Sequence, residues 1–90
     1  MDFEYDPQKS ESNKIKHGID FEEVKALWND GEAIEVPLPF EIEPRYIVIG
    51  TLDGTYWSAV VTYRETSIRV ISVRRSRSQE IELYDNRKRA

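Results

Sequence analysis

Apolar and polar residues alternate along Asp2-Phe3-Glu4-Tyr5, the two-residue period of a short β-strand with Phe3 and Tyr5 on one face. Asp6-Pro7 ends that period. An Asp N-cap before a Pro at the first helical position opens a helix. It is predicted to run to about His17 and to stop at Gly18, which takes the left-handed conformation easily. Lys9, Asn13, Lys16 and His17 fall on one stripe of this helix. A second helix is predicted from Asp20, with Glu23 completing a capping box. Phe21, Val24, Leu27 and Trp28 form its apolar face, and Asn29-Asp30-Gly31 ends it.

From Ala33 onward the pattern is that of a sheet. Ala33 to Val36 reads as a short strand. Pro37, Pro39 and Pro44 bracket a loop and exclude a central strand there. Arg45 to Leu52 and Thr55 to Arg64 read as two strands joined by a hairpin at Asp53-Gly54. After a turn at Glu65-Thr66, Ser67 to Arg75 reads as another strand. Ser76 and Gln79 have the spacing of a capping box before a last helix, from Ile81 to about Arg87, with Glu80 and Tyr84 one turn apart. The expected architecture is one α+β domain over residues 1–90: two N-terminal helices packed on an antiparallel meander sheet, with a C-terminal helix. Trp28 and Trp57 are expected in the core.

Composition narrows the class. Ninety residues bury one modest core. Without cysteine, neither a disulfide frame nor a thiolate metal site is possible. There is no basic leader followed by an apolar run and no long apolar stretch, so a cytoplasmic protein with no membrane partner is expected. The net charge of −4 hides a division: residues 1–43 carry 12 acids and 4 bases, residues 44–90 carry 5 acids and 9 bases. Eight of the nine late bases are Arg, whose planar fork grips phosphate bidentately. The late half therefore points to an anionic partner.

Several motifs in order now matter together: Phe3-x-Tyr5-Asp6-x-x-Lys9, Asn13, Lys16-His17-Gly18-Ile19-x-Phe21, Arg45 before Ile49-Gly50, Arg69-Val70-Ile71-Ser72-Val73-Arg74, and Glu80 with Tyr84. In these residues the chain resembles the BrnT family of toxins over nearly its whole length. The resemblance implies a RelE-like fold, a ribonuclease activity that halts translation, and neutralisation by a BrnA-like antitoxin. DNA would then be contacted only through that antitoxin. The chain differs from such toxins, which are commonly basic, in its acidic balance.

Cleaving RNA without a metal requires a base for the 2′-OH proton, cations for the charge of the transition state, and an acid for the leaving 5′ oxygen. No cofactor is expected, and the sequence has no zinc-type His/Cys cluster. The candidate catalytic residues are Lys9, Lys16, His17, Arg45, Arg69 and Arg74. The arginines stay protonated and hold phosphate; His17 or a lysine carries protons. His17 can equally be a cation capping the end of its helix, and Lys9 and Lys16 can be a solvated helix face. Asp6 is read as a cap. Five positions separate Arg69 from Arg74, so strand alternation puts them on opposite faces. One is expected to face the cleft, with Arg74 favoured, and the other to pair with an acid such as Glu80. Tyr84 and Tyr63 are candidates to stack a base. A second reading of the chain is a non-catalytic interaction module that acts with its partner in operon repression.

Overall fold

The computed structural model describes residues 2–39 and 42–89, so Phe40 and Glu41 of the predicted Pro-bracketed loop lie outside the described residues. Five strands share one sheet: β1 (Asp2–Glu4), β2 (Ile34–Leu38), β3 (Arg45–Leu52), β4 (Thr55–Arg64) and β5 (Ser67–Arg75). Their spatial order is β1-β5-β4-β3-β2. Consecutive strands from β2 to β5 pair antiparallel, whereas β1 runs parallel to β5. Helices α1 (Pro7–His17) and α2 (Ser78–Arg89) lie toward the two ends of the chain, and a 3₁₀ helix spans Glu23–Asn29.

This arrangement corrects the expected fold of two N-terminal α-helices on an antiparallel meander. The sheet is mixed, and the second predicted helix is a 3₁₀ segment. The capping box itself forms: Glu23 N–H donates to Asp20 Oδ1 at 2.7 Å and Asp20 N–H to Glu23 Oε1 at 3.0 Å. Beyond the cap, residue spacing decides the helix type. Phe21, Val24 and Leu27 recur every three residues and are 1%, 0% and 0% exposed. A helix of three residues per turn puts Val24 and Leu27 in one line against the sheet, and Phe21 joins them from the turn that leads into it. Trp28, off that line, is only partly buried and meets Phe3 edge-on at 5.0 Å.

The other boundaries have similar local causes. β2 continues through Pro37 because it is an edge strand, where a missing N–H is tolerated. The capping box of α2 sits one residue later than predicted, with Arg77 N–H donating to Glu80 Oε1 at 2.8 Å. Ser76 instead places its hydroxyl 2.7 Å from that of Ser58. At the start of α1, Asp6 Oδ1 accepts from Gln8 N–H at 2.9 Å, and Gly18 ends the helix at φ 83°.

One face of the sheet carries the core. Val48, Trp57, Ala59, Val61, Ile68, Val70 and Val73 cluster there with Ile19, Phe21, Val24 and Leu27. The opposite face carries Arg45, Arg69 and Arg74, whereas Arg75 lies on the core face over the Trp57 ring.

Candidate active site

The site depends on an irregularity in β5. Val61 pairs with Val70, but its neighbour Val60 pairs with Ser72, leaving Ile71 as the extra residue of a β-bulge. The bulge resets the alternation. Arg69 lies opposite Thr62 and Arg74 opposite Ser58, two positions on the same side of β4. Both arginines therefore lie on the face away from the core, contrary to the alternation expected for a regular strand.

Register divides that face into rows across the strands. The first holds Leu38 and Arg45, then Thr62, Arg69 and Glu4. The second holds Val36, Ile47, Val60 and Ser72; the third holds Ile34, Ile49, Ser58 and Arg74.

The first row opens into a pocket of about 200 Å³, whose lining includes Lys9, Arg45, Arg64 and Arg69 with the carboxylates Asp6 and Glu43. Its ion pairs form a chain of long contacts. Arg69 and Arg64 flank Glu4 Oε1 at 3.8 and 3.9 Å, and Arg64 and Arg45 approach Glu43 at 3.4 and 3.9 Å. Glu4 Oε1 is buried without a hydrogen-bond donor. Thr62 is fixed by donating to Pro44 O at 2.7 Å. Among the described residues Lys9 makes no hydrogen bond or ion pair. The pocket and its ion pairs thus set four cations, Lys9, Arg45, Arg64 and Arg69, against three carboxylates, Asp6, Glu43 and Glu4, in a setting where several donors can turn to an incoming anion.

The third row serves the scaffold. Arg74 grips Glu80 through both guanidinium nitrogens at 2.7 and 2.8 Å. Glu80 also accepts from Ser58 and from Arg77 N–H. The Arg74 hydrogen bond, helped by those donors and opposed by burial, holds the Glu80 carboxyl down to about 2. Nearby, Asp30 accepts from Thr51 N–H, the Thr51 hydroxyl and the Tyr84 hydroxyl at 2.8, 3.1 and 2.8 Å. Burial alone would raise the Asp30 carboxyl, but these donors and Glu32 N–H hold it below its ordinary value.

The six candidates from the sequence thus divide. Lys9, Arg45 and Arg69 line one pocket. Arg74 is clamped to α2. Lys16 and His17, exposed and half-buried, sit in the last turn of α1, about 10 Å along the helix from Lys9. Tyr84 is 2% exposed and offers no ring to a base. Tyr63 lies opposite Ile68, on the core side of the sheet away from the pocket. Burial and a hydrogen bond to Glu35 push its hydroxyl up to about 12. Sequence reasoning missed Arg64 and Glu43. Arg64 was discoverable, since it alternates in phase with Thr62 on β4; Glu43, within the Pro-bracketed loop, carried no such signal.

A family model described as "Ribonuclease toxin, BrnT, of type II toxin-antitoxin system" matches residues 5–80. The chain belongs to the BrnT family. No curated protein matches the sequence. The BrnT match covers the pocket residues Lys9, Arg45, Arg64 and Arg69 and ends at Glu80, the partner of Arg74. As a member of a type II toxin-antitoxin family, the chain has an antitoxin as its counterpart. Among the described residues no BrnT helix is long and apolar enough to cross a membrane, and no group of three or more His, Asp or Glu side chains is placed to hold a metal ion.

Proposed function

We propose that this BrnT protein is a cytoplasmic endoribonuclease that binds the scissile phosphate in the Lys9–Arg45–Arg64–Arg69 pocket and halts translation by cutting RNA. The observation that carries the reading is the convergence of four cations from α1, β3, β4 and β5 on one pocket, in a chain whose family is one of ribonuclease toxins.

The chemistry rests on the residue types. The arginines hold the phosphate and offset the charge that builds on its oxygens in the transition state. The 2′-OH attacks the adjacent phosphorus, the bond to the 5′ oxygen breaks, and the product ends in a 2′,3′-cyclic phosphate. Glu43 receives the 2′-OH proton and Lys9 supplies one to the leaving oxygen, both being proton carriers that line the pocket. Lys16 extends the cationic track along α1 toward a flanking phosphate, with His17 beside it as a further hydrogen-bonding group. A BrnA-like antitoxin neutralises the toxin, and DNA is met only through that antitoxin.

The test is cleavage of a defined RNA by purified protein in EDTA, with and without ribosomes. Products with 2′,3′-cyclic phosphate ends, and resistance of RNA lacking the 2′-OH at the cut site, are expected. Cleavage only with added Mg²⁺, or 5′-phosphate products, would overturn the mechanism. Absence of cleavage in every condition would leave a non-catalytic module that acts through its partner.

A further inference from the structure

We propose that the aliphatic row Val36–Ile47–Val60 is the seat of the antitoxin. It would lay an amphipathic segment there, with apolar side chains on the row and carboxylates turned to Lys9, Arg45 and Arg69. The assignment rests on reading the neighbouring pocket as the toxin's active site.

The three rows of the outer face are unequally occupied. The third is clasped by α2 through Glu80, and Ile49 within it is 1% exposed. The first carries the charges. Between them Val36, Ile47 and Val60 stand opposite one another and are only half-buried. Their strand neighbours on the core face, Val48, Ala59 and Val61, are 5%, 0% and 0% exposed. The middle row is thus a strip of branched aliphatic side chains, open to solvent and bordered by cations.

The chemistry of the row selects the partner. Bases are captured on aromatic faces, and this row has none. Branched aliphatic groups instead seat the apolar face of a peptide segment. On its border the ion pairs to Arg64 and Arg69 are 3.4–3.9 Å long, and Lys9 has none among the described residues. Carboxylates brought by a partner can therefore compete for these cations. The sheet edge is the less suitable place for it. β2 presents exposed Glu35 and Pro37 there, features that discourage addition of another strand. A segment lying on the middle row would also cover the pocket beside it, so binding and silencing become one event.

The test measures binding of the antitoxin encoded beside this chain by calorimetry, alongside RNA cleavage. The variants are Val60→Asp, Val36→Asp and, as a control off this face, Ile15→Asp on α1, where Ile15 is 82% exposed. The two row variants should lose about 30-fold or more in affinity, and the control should bind as wild type. Val60→Asp should still cleave RNA yet escape silencing. Wild-type affinity in both row variants would overturn the proposal. So would a proportional loss of RNA cleavage in Val60→Asp, which would make the row an RNA groove, or failure of the wild-type chain to bind the antitoxin. If the row variants do not fold, the methyl signals of Val60 and Ile47 in the wild-type chain decide: they must shift when antitoxin is added, and unchanged signals overturn the seat. A wild-type chain that cleaves no RNA but loses the antitoxin on Val60→Asp would support the seat while refuting the active-site reading.

Discussion

The side-chain amide of Asn13 takes the place of a neighbouring strand beside Val73. It donates to Val73 O at 2.9 Å, accepts from Val73 N–H at 3.3 Å, and donates to Ile19 O at 2.9 Å. β1 pairs with β5 only as far as Glu4↔Arg69, so the outer edge of β5 beyond that point is served by α1. The helix that carries Lys9 is thereby fixed to the strand that carries Arg69.

Asn13→Ala should therefore be costly. It leaves buried backbone groups without partners, each worth about 1–3 kcal/mol, and Asn13 is 7% exposed. A loss of about 3 kcal/mol in urea unfolding is expected. A loss below about 1 kcal/mol would show that water replaces the amide.

Acid should loosen the clamp on α2. The Glu80 carboxyl lies at about 2 in the folded protein, against an ordinary value of 4.5. A depressed carboxyl contributes its full stability above the unfolded value and loses it as pH falls toward the folded one. Its share, about 3 kcal/mol, should disappear between roughly pH 4.5 and 2. In Glu80→Gln the fall in stability over that range should be shallower by this share, the remaining slope coming from Asp30 and the other lowered carboxylates, as measured by urea melts.

The two arginines of β5 should respond differently to the same substitution. Arg69→Lys keeps the charge but loses the fork, and should lower the cleavage rate by about 10²–10³ with little change in melting. Arg74→Lys should lower the melting temperature, because it breaks the paired bonds to Glu80, and should leave cleavage by the folded fraction close to wild type. The opposite pattern would return Arg74 to the active site.

How far these features were legible in the sequence depends on whether their cause is local. Caps, hairpin and strand limits are local: Asp6, Gly18 and Asp53-Gly54 each act within a few residues, and β3, β4 and β5 have the predicted limits. Two features are not local. A three-residue β1 shows by alternation which way Phe3 points, but nothing in it says which strand it joins or in which direction. The bulge at Ile71 is equally silent, since Val70-Ile71-Ser72 reads as regular strand, and yet it decides which face Arg74 takes. The 3₁₀ segment was partly legible: the three-residue spacing of Phe21, Val24 and Leu27 was present, but Trp28 made an α-helix equally consistent with it.

Gly50 leaves little room for a side chain. A Cβ there would lie 3.1 Å from the Leu27 side chain and 3.2 Å from Ala33 Cβ, so those side chains must yield by a few tenths of an ångström. Gly50→Ala should cost about 1–3 kcal/mol by thermal or urea melting, and an unchanged melt would show that Leu27 has room to move.

The parallel pairing of β1 with β5 also orders events in time. Asp2, Phe3 and Glu4 are each made 65 residues ahead of their partners Ser67, Ile68 and Arg69. Contacts so distant along the chain form late, because their loop-closure entropy is large. A growing polypeptide therefore carries Lys9 and Arg45 before Arg69 has been made to complete the pocket. The Lys9–Arg45–Arg64–Arg69 pocket therefore cannot assemble before β5 has been made, whatever else has already folded.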